Sequence, residues 1–162
     1  MAKDHLETYL NDHLAGSVVA LELLEHLESA HRDTGVGRFA AELRSDVASD
    51  RQVLETLMKR LDVPESSSRK ATAWLTEKVT ELKLGWDDSG EGLLRLLEAF
   101  EALSLGIEGK RLLWLALQFA SQEAPALGLA NYDTLIQRAK EQGSRVEVMR
   151  LQAAKVALIP DN

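Results

Sequence analysis

The sequence predicts an all-α protein: an antiparallel four-helix bundle with an additional short helix in the crossover between the second and third long helices. Three observations predict it. Apolar residues recur with the helical period almost throughout, no segment shows the strand period, and stretches rich in Gly, Pro and Asp divide the chain into five helical segments. A chain of 162 residues can bury one core of its own, so we assign residues 1–162 to a single domain.

The first two segments predict long helices over about residues 4–31 and 36–62. The apolar stripe of the first consists of Leu6, Leu10, Leu14, Leu21, Leu24 and Leu27. The stripe of the second consists of Phe39, Leu43, Val47, Leu54, Leu57 and Leu61. The glycines of "RDTGVG" end the first helix, and the proline of "DVPESSS" ends the second.

The other three segments predict a short helix over about 67–84 and long helices over about 91–121 and 132–157. Aspartates and glycines in "GWDDSGEG" favour a turn after the short helix. The segment over 91–121 is apolar almost all round, which is typical of a helix that is central or lies at an oligomer interface.

Composition excludes several classes of protein. The chain has no Cys, which excludes disulfides, thiolate metal sites and a Cys nucleophile and suits a reducing compartment. A net charge of −7 argues against nucleic-acid binding, which needs basic surface. Charges in "MAKDHLETYL" and the lack of an apolar run of about 20 residues argue against a signal peptide and a membrane span, so we expect a soluble cytoplasmic protein. Motifs for acyl transfer, phosphate binding or zinc proteolysis are missing.

Each long helix interrupts its apolar stripe near its middle with a small or polar residue. Each interruption lies seven residues from an apolar position on either side, so all of them are expected at one depth of the bundle. Neighbouring residues add an imidazole, a second carboxylate and a guanidinium. The candidate polar core layer therefore consists of His13, Ser17, Asp50, Gly106, Glu108, Gln142 and Arg145.

The segments "LAGSVVALELL" and "LSLGIEGKRLL" resemble helices of the ferritin-like superfamily in which a Glu would stand at Ser17 and at Gly106. The resemblance implies a bundle that holds two metal ions through Glu residues and Glu-x-x-His pairs. This chain has Gln142-x-x-Arg145 where such a pair belongs, and a guanidinium repels a cation. We interpret the chain as a relative that has lost the di-metal site, with no cofactor; the alternative is iron or manganese held by unorthodox ligands.

Two functions remain open. The first is a non-enzymatic binding or structural module, homodimeric through its excess apolar surface. The second is a metal-binding oxidoreductase or metal-storage protein that uses Asp50, His13 and Glu108.

The same reasoning gives three finer expectations. Glu108 should lie on a solvated face, paired with Arg111 three residues later. Asp50 and Arg145 should form a charge pair across the core. Gly106 should face inward and allow another backbone to approach closely.

Overall fold

The computed structural model describes residues 2–66, 73, 76, 77, 80 and 92–159. Residues 2–66 and 92–159 form four α-helices and no strand: α1 (Ala2–Ala30), α2 (Gly35–Arg60), α3 (Gly92–Ala120) and α4 (Tyr132–Leu158), with a short 3-10 turn at Pro125–Leu127. The prediction of an all-α four-helix bundle is confirmed, and the helix ends lie within about two residues of the predicted ones. None of the helices in the described ranges combines the length and the apolarity that crossing a bilayer requires.

The predicted short helix over 67–84 falls almost entirely outside the described residues. The exceptions are Ala73, Thr76, Glu77 and Thr80, which are helical and exposed. The hydroxyl of Thr80 donates to the carbonyl oxygen of Thr76 at 2.8 Å.

The turn between α1 and α2 is closed by Thr34, the N-cap of α2. Its hydroxyl accepts from the amide of Gly37 at 3.2 Å and donates to the carbonyl oxygen of His31 at 2.7 Å. Asp33 takes a left-handed conformation with φ 64°. A Cβ added at Gly37 would collide with the His31 carbonyl group, so the tight turn requires glycine there.

Beyond α2 the chain is anchored to α1 by a side chain that sequence analysis did not single out. Asn11 is only 2% exposed. Its amide group donates to the carbonyl oxygens of Glu7 at 2.9 Å and Pro64 at 3.0 Å, and its oxygen accepts from the backbone amide of Ser66 at 2.7 Å. The chain that leaves α2 is therefore held against the first half of α1.

The core consists of two apolar clusters stacked along the bundle. One joins the second half of α1 and the first half of α2 to the first half of α3 and to Ala139, Val146 and Ala153 of α4. The other joins the first half of α1 and the end of α2 to the end of α3 and the start of α4. The helices pack mainly as the pairs α1 with α2 and α3 with α4, whereas α1 and α3 touch much less. The polar layer lies between the two clusters.

Candidate functional site: a buried charge cluster beside an apolar cavity

Asp50 is the centre of the polar layer. It lies on the inward face of α2 and is 3% exposed. Its Oδ2 accepts hydrogen bonds from Lys110 Nζ at 2.6 Å and from Gln142 Nε2 at 2.9 Å. Arg138 Nη2 lies 2.9 Å from Oδ1, which is an ion-pair distance, although the angle is not that of a hydrogen bond. The carboxylate is therefore surrounded by two cations and an amide from α3 and α4.

Lys110 connects the members of this cluster. Its ammonium group also donates to Gln142 Oε1, and its side chain is 16% exposed. Burial lowers the pKa of Lys110 from its ordinary value, while the charge of Asp50 acts in the opposite direction. The ammonium thus links both polar side chains, so that Asp50 and Gln142 have partners within the chain itself.

Sequence analysis missed Lys110 and Arg138. The signal was present, because the inward positions of α3 follow alternating steps of four and three: Leu96, Phe100, Leu103, Ile107, Lys110, Trp114 and Leu117. Lys110 is the only charge in that series. Arg138 stands three residues after Leu135 and four before Gln142, which places it beside the inward stripe of α4.

The predicted pair of Asp50 and Arg145 is wrong. Arg145 instead pairs with Asp46 at 2.7 Å and with Glu42 at 3.2 Å, and its guanidinium lies 5.7 Å from the centre of the Phe39 ring. The reason is geometric: Arg145 is at the edge of the α4 stripe, 40% exposed, so it reaches the rim of α2 rather than the centre of the bundle.

The structure also corrects the expectation for Gly106. The residue is exposed, and a Cβ added to it would have no neighbour within 4 Å, so no backbone approaches it. Gly106 instead lines a cavity between α1 and α3, together with His13, Ser17 and Asp50. The hydroxyl of Ser17 donates to the carbonyl oxygen of Leu14 at 2.6 Å, which satisfies it within its own helix.

The expected pair of Glu108 and Arg111 is confirmed. Both carboxylate oxygens of Glu108 accept from the guanidinium group, at 2.6 Å and 2.7 Å, on an exposed face of α3. These hydrogen bonds lower the pKa of Glu108 from its ordinary value. Glu108 is therefore paired with Arg111 and does not belong to the cluster around Asp50.

The cavity between α1 and α3 has a volume of about 690 Å³. Apolar side chains such as Val19, Leu23 and Leu54 line much of it. Both helices turn small residues towards it: Gly16, Ser17, Ala20, Ala102, Gly106 and Gly109. A Cβ added at any of these three glycines meets no atom within 4 Å. The small residues therefore leave space between the helices instead of bringing their backbones together.

Two side chains that line the cavity, Trp114 and His13, carry polar ring nitrogens. Trp114 is 1% exposed and lines the cavity, and its indole Nε1 has no hydrogen-bond partner. A buried donor of this kind is rare, because an unmade hydrogen bond costs about 1–3 kcal/mol. His13 also lines the cavity; burial lowers its pKa from the ordinary value, with Asp12 acting in the opposite direction.

The residues of the layer do not fit the two metal ions that the ferritin-like resemblance implies. A di-metal centre needs several carboxylates and imidazoles around one point, whereas this layer combines one carboxylate with an amide, an ammonium and a guanidinium. A metal ion at Asp50 would have to displace the Lys110 ammonium. Across the described ranges, no three His, Cys, Asp or Glu side chains converge on a common point.

Comparison with known proteins finds no match to this chain among protein-family models, among curated proteins or among solved structures.

Proposed function

We propose that this chain is a non-enzymatic module of ferritin-like topology that binds an uncharged, mainly apolar small molecule between α1 and α3 and works as a homodimer in the cytoplasm. The observation that carries the proposal is the cavity of about 690 Å³ beside a buried cluster whose carboxylate, Asp50, already has two cations from the chain itself.

The antiparallel, ferritin-like arrangement is supported by the composition of the two core clusters. The end of α1 shares a cluster with the start of α2 and the start of α3, and the start of α1 shares the other cluster with their ends. In this arrangement α2 and α3 run in the same direction, which requires a long crossover between them. The 31 residues between Arg60 and Gly92 are long enough for that connection.

The chemistry of the ligand follows from the charges around the cavity. Each Lys and Arg side chain that lines it already has a carboxylate partner: Lys110 with Asp50 at 2.6 Å, Arg51 with Glu55 at 2.6 Å and Arg95 with Glu98 at 2.9 Å. An anionic ligand would have to break one of these pairs or remain uncompensated. An uncharged ligand avoids that cost.

Size and polarity limit the ligand further. The cavity volume lies in the range of roughly 300–1,000 Å³ that is usual for small-molecule sites. The indole N–H of Trp114 is a buried donor without a partner, so a ligand that brings one carbonyl or ether oxygen would satisfy it.

Titration with prodan, an uncharged aromatic ketone whose emission moves to shorter wavelength in apolar surroundings, tests the proposal. We expect saturable binding to the folded chain. Gly106→Phe should fill the cavity and weaken binding at least about tenfold, while Trp114→Phe should weaken it about two- to tenfold through the lost hydrogen bond. Gly35→Phe is the control, because Gly35 also has open space around it but does not line the cavity.

Two results would contradict the proposal. Prodan that binds Gly106→Phe as tightly as the unchanged chain would place the dye elsewhere. Near-stoichiometric iron or manganese in protein purified without an affinity tag from metal-replete culture would favour the alternative, a metal-binding oxidoreductase or storage protein.

A further inference from the structure

Helix α3 has a second apolar seam on its outer side. It consists of Ala102, Leu105, Gly109, Leu112, Ala116 and Phe119, at alternating steps of three and four residues. Its large members are far more exposed than apolar residues of a core: Leu105 76%, Leu112 50% and Phe119 74%. A regular seam of this period is the pattern by which one helix packs along another.

Small and large residues alternate strictly along this seam. The first position of each repeat is Ala, Gly or Ala, and the second is Leu, Leu or Phe. When two such seams pack in opposite directions, the first position of one helix faces the second position of the other. Every large side chain then faces a small one, whereas two parallel seams would set large against large and leave gaps between the small ones.

We propose that a second copy of this chain packs its α3 antiparallel against this seam, about a two-fold axis that passes between Lys110 and Arg111. In that register Leu105 faces the partner's Ala116, Leu112 faces the partner's Gly109 and Phe119 faces the partner's Ala102. A self-complementary patch is what a two-fold dimer requires.

Neighbouring registers fit less well. A shift of one repeat in one direction sets Ala116 against the partner's Glu98, and a shift in the other leaves Leu105 beyond the end of the partner's α3 at Ala120. The central register also tolerates Arg111, which lies next to the axis, because Glu108 neutralises it within each copy at 2.6 Å.

Ala102, Leu105 and Gly109 belong both to this seam and to the lining of the cavity. The partner's helix would therefore lie along the rim of the proposed ligand site. The inference rests on the homodimer of the proposed function and adds its surface, orientation and register.

Disulfide cross-linking tests the orientation, because the chain has no Cys to interfere. Chains with Leu105→Cys and chains with Ala116→Cys are mixed and mildly oxidised. We expect a covalent dimer that contains one chain of each kind, and little cross-linking of Leu105→Cys with itself. The exposed Glu22→Cys on α1, mixed with Ala116→Cys, measures random collision.

Sedimentation equilibrium of Gly109→Leu provides a test without cross-linking. Within one chain a Cβ at Gly109 meets nothing within 4 Å, so the variant should fold. In the dimer the new side chain would collide with the partner's Leu112, and we expect the dissociation constant to rise about tenfold or more. Gly35→Leu is the control and should not change it.

The outcomes distinguish the proposal of this seam from the broader proposal of a homodimer. Dimerisation that survives Gly109→Leu, or Leu105→Cys that cross-links mainly with itself, would overturn the seam and leave the homodimer standing. A chain that sediments as a monomer at all concentrations would overturn both, without bearing on prodan binding.

Discussion

At the middle of the bundle, the two sides of α3 differ: one side contacts a charge cluster and the other borders a cavity. Towards α2 and α4, Lys110 enters a cluster in which Asp50 and Gln142 are bound at hydrogen-bond distance. Towards α1, Gly106 and Ser17 line an open cavity. In the sequence both regions look alike, as interruptions of an apolar stripe. An interruption therefore marks a depth in the bundle, and only the neighbouring helices decide whether charge or space occupies it.

The largest effect on stability is expected on the filled side, the side of α3 that faces α2 and α4 and carries the charge cluster. Asp50→Leu leaves the Lys110 ammonium buried without its carboxylate, and we expect the free energy of unfolding to fall by about 3–5 kcal/mol. Urea denaturation monitored by circular dichroism measures it. The double variant Asp50→Leu with Lys110→Met removes both charges and should lose much less than the sum of the two single variants.

Additive losses in that cycle would mean that the two residues act independently, and the contrast between a filled and an open side would fail. Arg138 provides an internal check. Its side chain is 36% exposed and can reach water, so Arg138→Met should cost less than Asp50→Leu.

The pH dependence of stability also tests the side of α3 that faces α2 and α4, through the buried charge of Lys110. The folded-state pKa of Lys110 is lowered by burial, so between that value and the unfolded value of about 10.4 the unfolded chain binds more protons. Stability should therefore rise with pH across this window, by at most about 1.4 kcal/mol per pH unit. Tyr9 and Tyr132 have raised pKa values and act oppositely from about pH 10 upwards.

Subtracting the pH profile of Lys110→Met isolates the lysine, since both tyrosines remain in that variant. A difference between the two profiles that stays flat, or falls as pH rises, would contradict the buried, destabilised ammonium.

On the open side the effects should be smaller and of opposite sign. Gly106→Ala adds a methyl group where nothing lies within 4 Å and improves helix propensity, so we expect stabilisation of up to about 1 kcal/mol. Gly37→Ala is the matched contrast, because its methyl group meets the His31 carbonyl carbon at 2.9 Å and should destabilise. Thermal melts under identical conditions compare the two; a lower melting temperature for Gly106→Ala would show that the cavity is closed.

The smallest effect is expected outside both regions. Arg145→Ala removes half-exposed ion pairs to Asp46 and Glu42, which are typically worth about 0.2–1 kcal/mol each. The same urea titration would detect a larger role. A loss as great as that of Asp50→Leu would mean that Arg145 reaches the buried cluster in solution.

Periodicity predicted the helices and brought Asp50 and Gln142 to one depth, where they are bonded at 2.9 Å. It also predicted the pair of Glu108 and Arg111, because residues three apart share a helix face. These are properties of single helices or of their common spacing.

The predictions that failed depend on how the helices are arranged around one another. Arg145 was assigned to Asp50 although its position at the edge of α4 directs it to Asp46. Lys110 was overlooked because a long charged side chain usually lies on a surface, even at an inward position. Gly106 was misread because a small residue permits either close packing or empty space, and spacing along one chain does not distinguish them.

The positive charge that balances Asp50 belongs to Lys110 and is covalently attached to the chain, so it cannot be replaced as a bound ion can. A bound ion is in equilibrium with its supply and can be removed by chelation, competition or dilution. The ammonium of Lys110 has no such equilibrium, because it is part of the chain and can move away from the carboxylate only as far as its own side chain and helix allow. Chelators should therefore not change the rate at which the amide protons at the middle of α3 exchange with solvent.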